Sequence, residues 1–475
     1  MEGLHSKIKS WIKANEESMI SDTMKILKIN SESYDRVEVT RALKEVMEIA
    51  QGLGFETEVR ANGEVGVVFF GEGEETLGIL AHVDVVPFGD LDSWTYSPYG
   101  ERLDDKIYGR GIVDDKGMVI ASLYALAAVK SLNMPIYKRA ELIVGTREEI
   151  VWDDIALYKS EGHKLPDYGF TPDGEFPIIN REKGNCELLI NFDEEPFAGE
   201  FHILDINSGE AVNSIPDKAQ ATFKGSMDML KSKVAEYNES HEDHKLTVME
   251  KDDGVVRVTA TGKAAHSSLP EQGDNALVTL CGFLLELTMN NAAVSSFARF
   301  VNDSFLNNFH GDLLGLPNHR EEIDGEEMGK TTVVPTMAYI DKGIHLCLSA
   351  RTVYGTTRDE VTDAFRILGK KYGFSFKITD YLEPLYVPRS HKFIKILEEA
   401  YEMSTDKKAD FILAGGTTYA KAMPNSVAFG PLFTGDEDRS HQKDEFICID
   451  KFIKAAEVYA LTVAKTLLSR DSLVL

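Results

Sequence analysis

Two short apolar runs, each stopping abruptly at ionisable side chains, constrain this chain more than any other feature. The first, Thr76-Leu77-Gly78-Ile79-Leu80-Ala81, follows a Gly- and Glu-rich turn and leads into AHVDVVP, which carries His82 and Asp84. The second, Ala140-Glu141-Leu142-Ile143-Val144-Gly145, leads into Thr146-Arg147-Glu148-Glu149. A third strand-end acid stands in FTPDGEFP (170–177), where Asp173 lies between Pro172 and Gly174. Short apolar runs of this kind fit the buried strands of a mostly parallel sheet. In such sheets the site is built at the carboxyl ends of the strands. Residues two apart on a strand share a face, so His82 could bind a metal while Asp84 orients it. Each acid also has an ordinary reading: a His-x-Asp can be structural, and paired surface glutamates are simply solvated. Matching ligands elsewhere decide between the two.

Such ligands follow in order. GRGIVDDKG (109–117) sets Asp114 and Asp115 between glycines, just before a helical stretch from about Met118 to Leu132 that Asn133-Met134-Pro135 closes. Carboxylates at that position also serve as plain helix caps. Downstream, SHQKDEF (440–446) supplies His441 in a polar loop ahead of a final helix. His82, Asp114, Glu149, Asp173 and His441 together offer two imidazoles and three carboxylates, a donor set suited to Zn²⁺, Co²⁺ or Mn²⁺. Two metals sharing one carboxylate need such an allotment. Glu148, next to a ligand but not one itself, is the candidate general base for a metal-activated water.

These motifs resemble those of M20-family metallopeptidases, in particular the PepV-like dipeptidases of bacteria, over nearly the whole chain. The matching pieces are AHVDVVP, GRGIVDDKG, the Glu148-Glu149 pair, FTPDGEFP, GKAAHSSLPEQGDNA (262–276), LSARTVYGT (348–356) and GGTTYAKAMPNSVAFGP (415–431), running into His441. The resemblance implies that Asp114 bridges the metals, that His82 and Asp173 hold one, and that Glu149 and His441 hold the other. It also implies Glu148 as general base, Asp84 as the support of His82, and a cis Asp114–Asp115 peptide. His266 corresponds to a family histidine that stabilises the oxyanion of the tetrahedral intermediate. It lies in a Gly/Ser/Pro-bounded loop, where a surface histidine is the plain alternative. Arg351 corresponds to the arginine that grips the substrate carboxylate, a planar anion suited to a guanidinium fork. Asn213, in AVNSIPDKA, matches an asparagine near the substrate, and the turn containing Gly416 and Thr417 could offer it backbone N–H groups. Two departures stand out: Arg147 and Ile150 flank the glutamates where the family has Asp/Asn and Ser, and Thr417 replaces a third glycine. A cation beside Glu148 would lower its pKa if it pointed into the site.

Composition narrows the partners. With 51 basic and 78 acidic residues the formal charge is −27, which argues against nucleic acid or anionic membrane. Cys186, Cys281, Cys347 and Cys448 are scattered without CxxC spacing, as buried free thiols in a reducing compartment would be. Ile8, Trp11, Ile12, Met19 and Ile20 alternate with charges as in an amphipathic helix rather than a signal core. No run approaches the ~20 apolar residues that span a bilayer, and a cytoplasmic location is expected.

The texture also changes along the chain. Residues 1–185 alternate helix and strand patterns. From 186, CELLINF (186–192), KAQATFKGS (218–226) and DGVVRVTATGK (253–263) alternate apolar and polar residues, as antiparallel strands with one exposed face do. Helical stretches intervene near 228–237 and 274–290, and from about 391 the first texture returns with the strand 425–429 and the helix 449–468. The expected fold is therefore α/β: a mostly parallel catalytic domain (1–185 and 385–475) with helices on both faces, and an inserted α+β lid (186–384). That insert is about twice the length of one lid unit. In M20 relatives short lids dimerise, whereas PepV-like doubled lids supply the histidine within one chain, so a monomer whose lid closes over the substrate is expected. The activity implied is hydrolysis of dipeptides with a free carboxylate, using two divalent metals, most simply zinc. The same scaffold serves deacylases acting on N-acyl or N-succinyl amino acids, and a non-catalytic metal- or peptide-binding protein is the remaining alternative.

Overall fold

The strand Thr76–His82 lies at the heart of the first sheet because its residues are apolar on both faces, and all but Thr76 are buried. It pairs in parallel with Arg139–Gly145 on one side and Tyr168–Thr171 on the other. Ser426–Ala428 continues the parallel run beside Tyr168–Thr171. Beyond these four the sheet turns antiparallel, with Val65–Phe70 and Glu56–Arg60 at one edge and Ile178–Glu182 on the other side. The sheet is thus parallel at its centre and antiparallel towards its edges. Helices cover both faces. Val65, Val67, Leu80 and Ile143 pack with Ile155 and Tyr158 of the helix Asp153–Ser160 and with Tyr419 and Met423. On the opposite face a methyl group at Gly66 would strike Leu43 and Met47 of the helix Arg36–Gly52, so that helix lies directly on the strand. The helix Lys116–Ser131 is buried from Lys116 to Val129 and packs against the helix Ile449–Leu467.

The computed structural model describes residues 2–196, 199–224, 226–241, 246–251, 254–317 and 322–474; Gly225 and Asp253, within two of the alternating segments above, lie outside them. Two compact units emerge. One holds the chain up to Arg181, Tyr386–Ile412 and everything from Thr418 onward; the other holds Glu182–Leu385 together with Leu413–Thr417.

The second unit is built on one eight-stranded sheet in which every recorded pairing is antiparallel. Its strands alternate buried and solvent-facing residues, clearly so in Lys218–Lys224 and Val255–Thr261. The sheet falls into two halves. Leu246–Glu250, Val255–Thr261, Lys218–Lys224 and His202–Ser208 form one, and Thr332–Ile340, Gly343–Thr352, Gly184–Asp193 and Ser375–Leu382 the other. They join where Asn207 faces Tyr339 and Ser208 faces Ala338. The first half carries the helices Met227–Ser240 and Ala276–Leu284, the second Ala292–Phe305 and Arg358–Tyr372. Each half repeats one four-strand, two-helix plan, which accounts for the length of the insert. The helices Ala292–Phe305 and Arg358–Tyr372 are additions to the sequence reading.

The cysteines divide differently from expectation. Cys186 and Cys281 are buried, but Cys347 and Cys448 are half-buried, and all four are free thiols. No helix among the described residues is long and apolar enough to cross a membrane.

Candidate metal centre

Strand order explains why residues far apart in sequence meet. His82 ends the central strand and stands in register with Gly145, the last residue of its neighbour. Glu148 and Glu149 follow that neighbour, and Asp173 follows the strand on the other side. Asp114 comes from the irregular loop between the strand Lys106–Tyr108 and the helix Lys116–Ser131, and its peptide bond to Asp115 is cis. His441 lies in a loop of the chain's last third, with a left-handed backbone at φ 64°.

These side chains form two adjoining groups, His82–Glu148–Asp173 and Asp114–Glu149–His441, each offering ligand atoms within 4.8 Å of one another. Asp114 joins them. Its Oδ1 is 3.0 Å from His82 Nε2, and its Oδ2 is 2.8 Å from His441 Nε2. His441 Nε2 also lies 3.1 Å from Glu149 Oε1, and His82 Nε2 lies 3.9 Å from Asp173 Oδ2. His82 Nε2 and Asp114 Oδ1 are close but not aligned as donor and acceptor. Both are buried without a hydrogen-bond partner, as is Glu148 Oε1. Buried polar atoms left unpaired are costly, and lone pairs converging without hydrogen bonds suit a shared cation. The donor set, imidazole nitrogens and carboxylate oxygens, fits divalent ions of the zinc, cobalt and manganese kind.

Electrostatics point the same way. Burial alone would lower the His82 pKa, but the Asp114 and Asp84 carboxylates hold it well above the usual value. For His441 burial again lowers it, while Asp114 and Glu149 raise it to about 11. Burial would raise Asp114, yet the two histidines hold it far below an ordinary aspartate. Asp173 and Glu148 move the other way. Burial pushes both well up, and neighbouring carboxylates add to the rise against the opposing charge of His82. Without a cation, protons must keep so many buried acids together.

The site is stiffened from outside. His82 Nδ1 lies 3.0 Å from the Asp84 carbonyl oxygen and 3.4 Å from its Oδ1. The Asp84 carboxylate accepts from the N–H of Glu148 at 3.1 Å, from that of Glu149 at 3.2 Å and from the Ser33 hydroxyl at 2.7 Å. It therefore ties the glutamate turn to the histidine strand. Asp154 accepts from Thr146 N–H at 2.7 Å and from the Tyr419 hydroxyl at 2.7 Å, and the Tyr419 ring meets His82 edge-on. Arg36 donates to the Thr146 carbonyl at 3.0 Å. Ser33, Arg36, Asp154 and Tyr419 are absent from the sequence reading. Asp154 had a visible signal, an acid pair opening a helix after Trp152; the others had none. Arg147 does not face Glu148 as a counter-charge. It pairs with Asp153.

The remaining candidates, Asn213, His266, Arg351, Gly416 and Thr417, belong to the second unit. The Asn213 carbonyl accepts from Ser267 N–H at 2.9 Å, and Ser214 bridges to His266. The Ser267 hydroxyl is 3.0 Å from that of Ser349, two residues before Arg351 on the same strand. A methyl group at Gly415 would sit 3.3 Å from Ser268. Arg351 Nη1 reaches the Thr417 hydroxyl at 3.5 Å. These loops thus cluster. His266 is exposed, and its Nδ1 lies 2.7 Å from the Ser268 hydroxyl. Arg351 is only 9% exposed and has no carboxylate within 4.0 Å among the described residues, so it is not a surface salt bridge. Burial lowers its pKa against the opposing pull of Glu187 and Asp380.

The family model for Peptidase family M20/M25/M40 matches residues 78–465. The chain belongs to this family. YtjP of Bacillus subtilis (strain 168), named as a candidate dipeptidase, is 34% identical over 465 residues, covering 94% of this chain and 96% of the relative. Among solved structures, the di-peptidase Dug1p from Saccharomyces cerevisiae aligns over 98% of this chain and 99% of its own, with TM-score 0.63 and 12% identity. Human carnosine dipeptidase 1 aligns over 97% and 99%, with TM-score 0.57 and 15% identity. At these identities the two structures speak for the fold. Family membership makes this M20 chain a hydrolase of the peptidase class.

Proposed function

We propose that the chain hydrolyses the peptide bond of dipeptides bearing a free C-terminal carboxylate, with two divalent ions, zinc foremost, as cofactors. The observation that carries this is Asp114, with one carboxylate oxygen beside each histidine. In this reading Asp114 is shared, His82 and Asp173 hold one ion, and Glu149 and His441 the other. Ions bound there would make water a nucleophile at neutral pH and polarise the scissile carbonyl. The chain's own residues do the rest. Glu148, its pKa raised by burial, takes the proton from water and passes it to the leaving amine. Asp84 holds the turn that carries Glu148. His266 donates to the developing oxyanion, Arg351 pairs with the substrate carboxylate, and Asn213, Gly416 and Thr417 complete the substrate contacts.

Assays of a dipeptide panel against N-acyl and N-succinyl amino acids, with Zn²⁺, Co²⁺ or Mn²⁺ added to metal-stripped protein, test the proposal. Turnover confined to dipeptides is the expected result. Turnover confined to the acyl amino acids would assign a deacylase instead, and none with any metal would favour a binding protein. Glu148→Ala should still take up metal while kcat falls by about 10²- to 10⁴-fold; a variant with wild-type turnover would remove Glu148 from the mechanism.

A further inference from the structure

The loop that delivers Asp114 is irregular, and so is the segment that delivers His441. Their outer ends are joined by a short antiparallel ladder, Lys106–Tyr108 against Phe446–Cys448, but between that ladder and the two ligands neither stretch has helix or strand hydrogen bonds of its own. There one buried side chain ties the two backbones together. Glu445, four residues beyond His441, is fully buried. Its Oε1 accepts from the N–H groups of Gly111 at 3.0 Å, Val113 at 3.0 Å and Asp114 at 3.4 Å. Its Oε2 accepts from Gly111 N–H at 3.1 Å and from Arg110 Nη1 at 2.8 Å. The Glu445 carbonyl takes Gly109 N–H at 3.0 Å as well. Arg110, also buried, lies over the Trp94 ring at 5.2 Å, so the guanidinium is fixed from the other side.

We infer that Glu445 is a positioning residue, whose carboxylate sets the distance between Asp114 and His441 by gripping the 110–114 backbone from the segment that carries His441. Burying a carboxylate is expensive unless it is paired and fully hydrogen-bonded. Here every recorded donor belongs to the loop that ends in Asp114. Charge-assisted bonds to backbone N–H groups are short and strong. A neutral amide of the same shape would turn its NH₂ towards an N–H or a guanidinium. The neighbouring Asp444 provides the contrast. Its Oδ1 accepts from Thr95 N–H at 2.8 Å and Tyr96 N–H at 3.1 Å, anchoring the same segment without touching the Asp114 loop.

The inference rests on the two-metal reading, and Co²⁺ titration of the metal-stripped full-length chain, followed by d–d absorption, separates the two. Wild-type protein should take up two ions in distinguishable steps; uptake of one would count against the two-metal reading itself. Glu445→Gln should weaken one step about 10-fold or more, as loss of an outer support typically does. The other should weaken less, because it shares Asp114 but keeps His82 and Asp173, for which no contact with Glu445 is found among the described residues. Asp444→Ala is the control, expected to lower the thermal midpoint and leave both steps in place. A Glu445→Gln protein that binds both ions like wild type would overturn the inference. So would an Asp444→Ala protein that loses the same step, since loosening of the segment would then be the cause. Should Glu445→Gln fail to fold, Glu445→Asp, which keeps the charge on a shorter arm, is judged by the same criteria.

Discussion

Asp84→Asn keeps the size of a fully buried side chain but turns one of its two accepting oxygens into a donor. Oδ1 serves Glu148 N–H, while Oδ2 serves Glu149 N–H and the Ser33 hydroxyl, so an amide nitrogen must face a backbone donor on one side or the other. Metal affinity is expected to fall about 10- to 100-fold, with turnover following it, as competition with a chelating dye would show. A second expectation concerns protons. In the metal-free protein carboxylate neighbours raise both histidines, His441 to about 11, so at pH 7 the His441 imidazole carries a proton that a metal must displace. Metal uptake should therefore release protons, and apparent affinity should climb as pH rises from 6 to 8. Calorimetry in buffers of differing ionisation enthalpy would check this, and uptake without proton release would contradict it. At this scale the ionisable residues that the structure brings together were legible only as a set, because any one strand-end histidine or acid has an ordinary reading and their joint order does not. Ser33, Arg36 and Tyr419 were not, because they act through hydrogen bonds to backbone or to other acids, and nothing in their local sequence signals that.

The helix Lys116–Ser131 is the element on which the Asp114 loop comes to rest, and it is buried along nearly its whole length. Leu126, fully buried in it, should cost about 2–5 kcal/mol when cut to alanine, read as a lower midpoint in urea unfolding. Lys116 opens the same helix fully buried, its Nζ donating to the Ile29 carbonyl at 2.7 Å. Sequence patterning located this helix to within two residues at each end, since its apolar run is long and Pro135 follows. The helix Arg358–Tyr372 escaped, although its ends carry clear signals. Thr357 and Glu360 form a reciprocal cap, and Gly373 closes the helix in a left-handed conformation. Its core-facing residues Val361, Ala364, Phe365 and Leu368 are spaced as an amphipathic helix requires, but they are diluted by charges. Thr357→Ala should lower stability by about 1 kcal/mol without altering metal uptake.

At the scale of the molecule, the two-fold repetition within the second unit's sheet supports the expectation of a monomer. Sedimentation velocity should show one species at the mass of a single chain across a hundredfold concentration range; a dimer that persists on dilution would refute it. The change of texture near residue 186 marked the start of the antiparallel sheet because alternation of apolar and polar residues is a direct imprint of a half-exposed strand. What no pattern could indicate is the allegiance of Leu413–Thr417, five residues that sort with the second unit although the chain on either side belongs to the first. The second unit is therefore not a cassette. A graft that exchanged only the long insert between two relatives would leave this short piece behind in the recipient, and with it Gly416 and Thr417, the latter a neighbour of Arg351. Any lineage or laboratory recombining these units must carry both segments together, and that couples the evolution of two stretches of gene separated by the codons of the helix Lys392–Thr405 and its flanks.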